Sequence, residues 1–108
     1  GNSQYYNLKA EVNVGIPTTY ELSQNYPNPF NPTTKIDFDL PFSGKINMVL
    51  YDISGREIET LIDKIMDAGY YTVQYNAANL SSGIYFYRLT AAGNNTNSVM
   101  TKKMAVIK

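Results

Sequence analysis

The sequence predicts an all-β domain, an antiparallel β-sandwich of about seven short strands. Three observations carry that prediction. Apolar and polar residues alternate along successive segments, the period-2 pattern of strands with one face in a core. Turn-forming Gly, Asn, Ser and Pro interrupt those segments at short intervals. The 108 residues, 44% hydrophobic and 13% aromatic, suffice to fill one sandwich-sized core.

Taken in order, the chain opens on a stretch that fits the sandwich least well. Tyr5 to Val14 reads as a candidate extra edge strand, and Gly15-Ile16-Pro17-Thr18-Thr19 as a linker to something upstream. Residues 1–19 are therefore expected to be the linker or tail of an upstream region, with the domain itself at 20–108. Tyr20 to Gln24 is the first short strand. Gln24 to Thr34 then places three of the five prolines within six positions. Proline fixes φ, lacks a backbone donor and pushes the preceding residue toward extended geometry. A rigid, extended connector follows, turning at its Asn-Pro steps, with Tyr26 and Phe30 spaced to peg it onto a neighbouring core.

From Thr34 to Leu40 the alternation is clean, with Ile36, Phe38 and Leu40 inward and Lys35, Asp37 and Asp39 outward. After a turn at Pro41-Phe42-Ser43-Gly44, Lys45 to Asp52 puts Ile46, Met48 and Leu50 on one face and Val49 and Tyr51 on the other. Gly55 suits the tight turn Asp52-Ile53-Ser54-Gly55-Arg56. Glu57 to Ile65 is ambiguous: Ile58, Leu61, Ile62 and Ile65 match a helical stripe, but β-branched residues and flanking turns favour a bulged strand. A turn at Ala68-Gly69 leads into Tyr70 to Asn76, with Tyr71, Val73 and Tyr75 on one face. A loop from Asn76 to Gly83 follows. Ile84 to Ala92 reads as buried on both faces, because Tyr85, Tyr87 and Leu89 oppose Ile84 and Phe86. A polar hairpin loop, Ala92 to Asn97, precedes the last strand, Ser98 to Ile107.

Composition excludes whole classes of chemistry. The chain has neither Cys nor His, which removes thiol nucleophiles, disulfides, the usual zinc sites and every triad with an imidazole base. Lack of Cys fits a reducing compartment and equally a secreted protein that does without disulfides. Neither a signal peptide nor an apolar run long enough to span a bilayer is present. The net charge is zero, but all nine acids lie at or before Asp67, whereas residues 68–108 carry only Arg88, Lys102, Lys103 and Lys108. Such asymmetry can mark a terminal segment that meets an acidic partner. Equally, the two halves can interleave in one fold and neutralise each other. With no basic stripe, nucleic acid is not an expected partner.

Candidate chemistry is sparse. Asp37 and Asp39 project from one strand face, as general acid/base pairs or Ca²⁺ ligands do. Solvated charge on an amphipathic strand is the ordinary expectation, however, and Asp52 is the one further acid to nominate. Neither a catalytic, a metal nor a cofactor-binding residue is assigned. Tyr70, Tyr71, Tyr75, Tyr85 and Tyr87 are expected on strands that pair, where an outward row could stack on sugar rings and an inward one simply stabilises a sheet. Asn79-Leu80-Ser81 and Asn94-Asn95-Thr96 match the glycosylation acceptor pattern, which polar turns generate by chance.

The residues Leu22-Ser23-Gln24-Asn25-Tyr26-Pro27-Asn28-Pro29-Phe30-Asn31-Pro32-Thr33-Thr34 resemble the opening of the C-terminal sorting domain (type A) of type IX secretion cargo proteins. These occur in Gram-negative Bacteroidetes and neighbouring lineages. Later landmarks match in order: Val49-Leu50-Tyr51-Asp52-Ile53-Ser54-Gly55-Arg56, Gly69-Tyr70-Tyr71-Thr72-Val73, Leu80 to Leu89, and Thr101 to Lys108. The likeness runs from about residue 20 to the last residue, and a lysine just after the final strand is typical of the family. Tyr75-Asn76-Ala77 stands where relatives commonly carry Trp, Asp or Asn and a small residue, a departure that leaves the fold expectation intact. The middle and end also resemble the immunoglobulin-like domain of flagellar hook-capping proteins, which lacks the Asn-Pro-rich opening.

The resemblance implies an immunoglobulin-like sandwich that is a signal rather than an enzyme. Such a domain crosses the periplasm folded, is recognised by the outer-membrane translocon, and is usually cut off by a sortase-like peptidase, leaving cargo at the cell surface or in the medium. The family's C-terminal motifs fall on Gly83 to Leu89 and Met100 to Lys108. By that correspondence the recognition residues are Gly83, Tyr85, Tyr87, Arg88, Lys102, Lys103, Val106 and Lys108. The expected partners are the translocon, the peptidase and an upstream cargo domain, with self-association left open. Two other classes stay in play: an accessory carbohydrate-binding module, and a structural sandwich that spaces or protects an upstream catalytic domain.

Overall fold

A computed structural model describes residues 15–108; the candidate strand Tyr5 to Val14 lies outside them. Seven strands follow in order: β1 (Glu21–Leu22), β2 (Thr33–Leu40), β3 (Gly44–Asp52), β4 (Glu57–Met66), β5 (Gly69–Asn76), β6 (Gly83–Gly93) and β7 (Thr96–Val106). They form two antiparallel sheets, β1-β2-β5 and β4-β3-β6-β7, the layout of an immunoglobulin-like sandwich with the fourth strand in the larger sheet.

Each strand forms where its sequence alternates, and the inward residues meet between the sheets. Ile36, Phe38 and Leu40 of β2 face Ile46, Met48 and Leu50 of β3, joined by Ile62 and Met66, Tyr75, Tyr87 and Leu89, and Met104 and Val106. Within the smaller sheet the rings of Phe38 and Tyr71, opposite each other on β2 and β5, stack at 5.4 Å, an arrangement that adds to their burial. The ambiguous segment is a strand. β4 pairs with β3 through register shifts at Met48/Val49 and Leu50/Tyr51, so the helix-like spacing of its apolar residues is absorbed by bulges.

Three expectations need correction. The connector does not use both aromatics as pegs: Phe30 is buried, but Tyr26 is 77% exposed. The second anchor is instead Asn25, which is buried. The outer face of β6 is only half-covered at Ile84 and Phe86, because among the described residues no layer packs over the larger sheet. Finally, the tyrosines of β5 and β6 belong to different sheets, so those strands do not pair.

Candidate recognition surface

The C-terminal hairpin is built on an unbroken register between β6 and β7, from Gly83 opposite Val106 to Gly93 opposite Thr96. Alternation sorts the expected recognition residues. Tyr85, Tyr87 and Val106 point inward and are buried, whereas Gly83, Arg88, Lys102, Lys103 and Lys108 are exposed. Tyr85 donates its hydroxyl to the Ser81 carbonyl at 2.9 Å, a tyrosine corner at the start of its strand. Tyr87 donates to the Ser23 carbonyl at 2.7 Å, tying β6 to the end of β1. Burial pushes its phenol up to about 12, against a smaller opposing hydrogen bond from the Asn25 backbone.

The cations of this hairpin are exposed. Arg88 sits 4.6 Å from the centre of the Tyr51 ring and donates to the Tyr51 hydroxyl, a cation–π contact that holds the guanidinium against its cross-strand neighbour. Lys102 and Lys103 lie opposite Tyr87 and Phe86 and therefore project from opposite faces of β7. Among the described residues neither forms an ion pair. Ion pairs Lys45–Asp63 (3.3 Å) and Arg56–Asp52 (3.2 Å) join residues of the acidic half. The halves thus interleave in the sheets without the C-terminal lysines being neutralised by contact.

Lys108 works as a clasp. Its amide donates to Ser82 Oγ at 2.9 Å, and its Nζ donates to the carbonyls of Ala77 and Ala78 at 3.1 and 2.9 Å. The β5–β6 loop is thereby fastened to the end of β7.

The Asn-Pro connector, whose bonds to Pro27, Pro29 and Pro32 are cis, lies along the same strand. Phe30 forms a parallel bridge with Val106, its amide reaching the Ala105 carbonyl at 3.1 Å and its carbonyl accepting from the Ile107 amide at 3.0 Å. Asn28 Oδ1 accepts from the Ala105 amide at 2.9 Å, and Gln24 Nε2 donates to the Lys103 carbonyl at 2.6 Å. Asn25 Nδ2 bonds to Pro27 O and Thr34 Oγ1 at 3.1 and 3.0 Å, and Thr34 Oγ1 donates to Pro27 O at 2.8 Å. Sequence reasoning missed Gln24, Asn25 and Asn28. The available signal was side-chain amides placed among prolines, which lack donors of their own.

The acids contribute structure. Asp37 Oδ1 accepts from Thr72 Oγ1 at 2.6 Å. Asp39 is pushed above the usual carboxylate range by burial, with Glu21 and Asp37 adding repulsion. Asp52 is lowered to about 2 by the Ser54 hydroxyl and then by the Arg56 amide. Among the described residues no group of three or more acids is placed to hold a metal. Nor is there an outward tyrosine row: on β5 and β6 only Tyr70 is strongly exposed.

This arrangement, a sandwich that presents a strapped β7 and exposed cations, defines a docking module. Residues 24–107 match the model of the secretion system C-terminal sorting domain, and the chain belongs to that family. No curated protein matches the chain. The domain is a C-terminal sorting signal for type IX secretion, of a family that is non-catalytic in general. It implies interaction with the type IX machinery, attachment to cargo, and export toward the cell surface or extracellular space.

Proposed function

We propose that residues 20–108 form a non-catalytic docking domain, joined through residues 1–19 to an upstream cargo. The domain crosses the periplasm folded, engages the outer-membrane translocon, and is then removed by a sortase-like peptidase. Cleavage falls in the stretch before Tyr20, since proteolysis concentrates in linkers outside the folded core. One observation carries this reading: the C-terminal hairpin buries Tyr85, Tyr87 and Val106 and leaves the side chains of Arg88, Lys102 and Lys103 exposed. Buried Tyr85, Tyr87 and Val106 then support recognition through the fold they hold, while Arg88, Lys102, Lys103 and Lys108 supply charge at the surface.

The test is export of a fluorescent reporter carrying the chain at its C-terminus, in a bacterium with a working type IX system and in a translocon-null strain. The expected result is reporter at the surface or in the medium only when the translocon is present. Alanine at Arg88, Lys102 and Lys103 together is expected to reduce export while the domain stays folded. Retention in the periplasm of both strains, with a folded domain, would remove the proposal.

A further inference from the structure

Strand β7 ends its sheet, and its outer edge is covered along only part of its length. Ala105 turns both amide and carbonyl away from β6, where Asn28 and Phe30 take them. Because the β6–β7 register is unbroken, Lys103, Thr101, Val99 and Asn97 present their backbone groups on the same side. Gln24 takes the Lys103 carbonyl. Beyond it, the outward groups of Thr101, Val99 and Asn97 have no partner among the described residues.

The far edge of the same sheet is protected differently. β4 carries Glu57, Glu59, Asp63 and Lys64 and pairs through two register shifts, devices that discourage strand addition. β7 has no bulge, and its Val99 is 58% exposed. Charge then selects the occupant. Lys102 and Lys103 follow directly on the open stretch and project from opposite faces of β7, and residues 68–108 contain no acid. An added strand lies about 4.8 Å away, which brings its side chains beside those of β7. Two copies of β7 meeting edge to edge would bring lysines and no acid to the seam, so charge favours an acidic partner over a second copy.

We infer that the open half of the β7 edge, Asn97 to Thr101, docks an extended, acid-bearing segment of an export-machinery protein by strand addition. The identity of that partner rests on the export reading; the edge itself does not.

The first experiment mixes the chain with a synthetic peptide alternating glutamate and valine, or with its lysine–valine counterpart, and follows amide hydrogen exchange. The glutamate peptide is expected to slow exchange at Asn97, Val99 and Thr101 about tenfold or more, the lysine peptide to leave it unchanged, and Lys102→Glu with Lys103→Glu to reverse the preference. Absence of protection, or protection centred elsewhere, overturns the inference. So does protection of the same amides in the peptide-free chain with the mass of a dimer, because the occupant is then a second copy.

In the reporter strain, Val99→Pro with Thr101→Pro removes two outward donors and spares the bonds to β6, as proline at a free edge permits. Export is expected to fall about tenfold or more with the melting temperature little changed; unchanged export overturns the inference. Should the proline variant not fold, the charge-reversed pair decides in the same assay by the same criterion. A parent domain that is not exported defeats the export reading, and the exchange experiment still decides the edge.

Discussion

At the scale of single residues, the connector shows that an amide can anchor where a ring does not. Asn25 is buried and bonded to Pro27 and Thr34, while Tyr26 faces solvent. Asn25→Ala is expected to cost about 2 kcal/mol in chemical denaturation, the penalty for unmaking a buried polar network. The prolines and Phe30 were legible in the sequence because their constraints are local. The direction of each Asn-Pro turn was not, and that direction decides whether position 25 or 26 points inward. Asp52 gives a prediction in acid. Its folded pKa of about 2 lies below the ordinary 3.8, so the charged form is favoured by folding. That contribution is complete above the ordinary value and is lost as pH falls through the folded one. Asp52→Ala should therefore melt below the parent at neutral pH, with the gap closing toward about pH 2 in thermal scans across pH.

Among the strands, alternation made the two faces of β2 and β3 readable, since a period of two needs no tertiary information. Close approach between strands was not readable. A Cβ on Gly44 would lie 2.0 Å from the Ala92 carbonyl oxygen, and one on Gly93 would lie 2.5 Å from that of Ser43. Both obstacles are backbone, so neither can swing away. Gly44→Ala is expected to destabilise by about 1–3 kcal/mol, as overpacking does, and to perturb chemical shifts at the ends of both β3 and β6. The Lys108 clasp offers a complementary case in which a contact is removed. Lys108→Ala frees the carbonyls of Ala77 and Ala78 and should cost about 1 kcal/mol. Faster amide exchange confined to residues 77–82 would locate that loss.

For the molecule as a whole, the consequential fact is that β7 is structural as well as exposed. Met104 and Val106 belong to the core, and β7 holds the connector through Phe30. A chain ending before Met100 is therefore expected to lose its cooperative melting transition, as seen by circular dichroism. Lost export of that truncation would report unfolding rather than a missing contact, so surface variants of the lysines are the cleaner probe. The sandwich was legible in the strand count and turn spacing, and the family in the order of its motifs. The sorting of the recognition residues into buried and exposed sets was not, because it depends on which side of β6 meets the other sheet. The parallel bridge between Phe30 and Val106 joins the opening of the domain to its last strand. During synthesis that strand leaves the ribosome after every other element, so no partial product can close the strap. A polypeptide cut short before Val106 therefore lacks the bridge that straps the connector to β7.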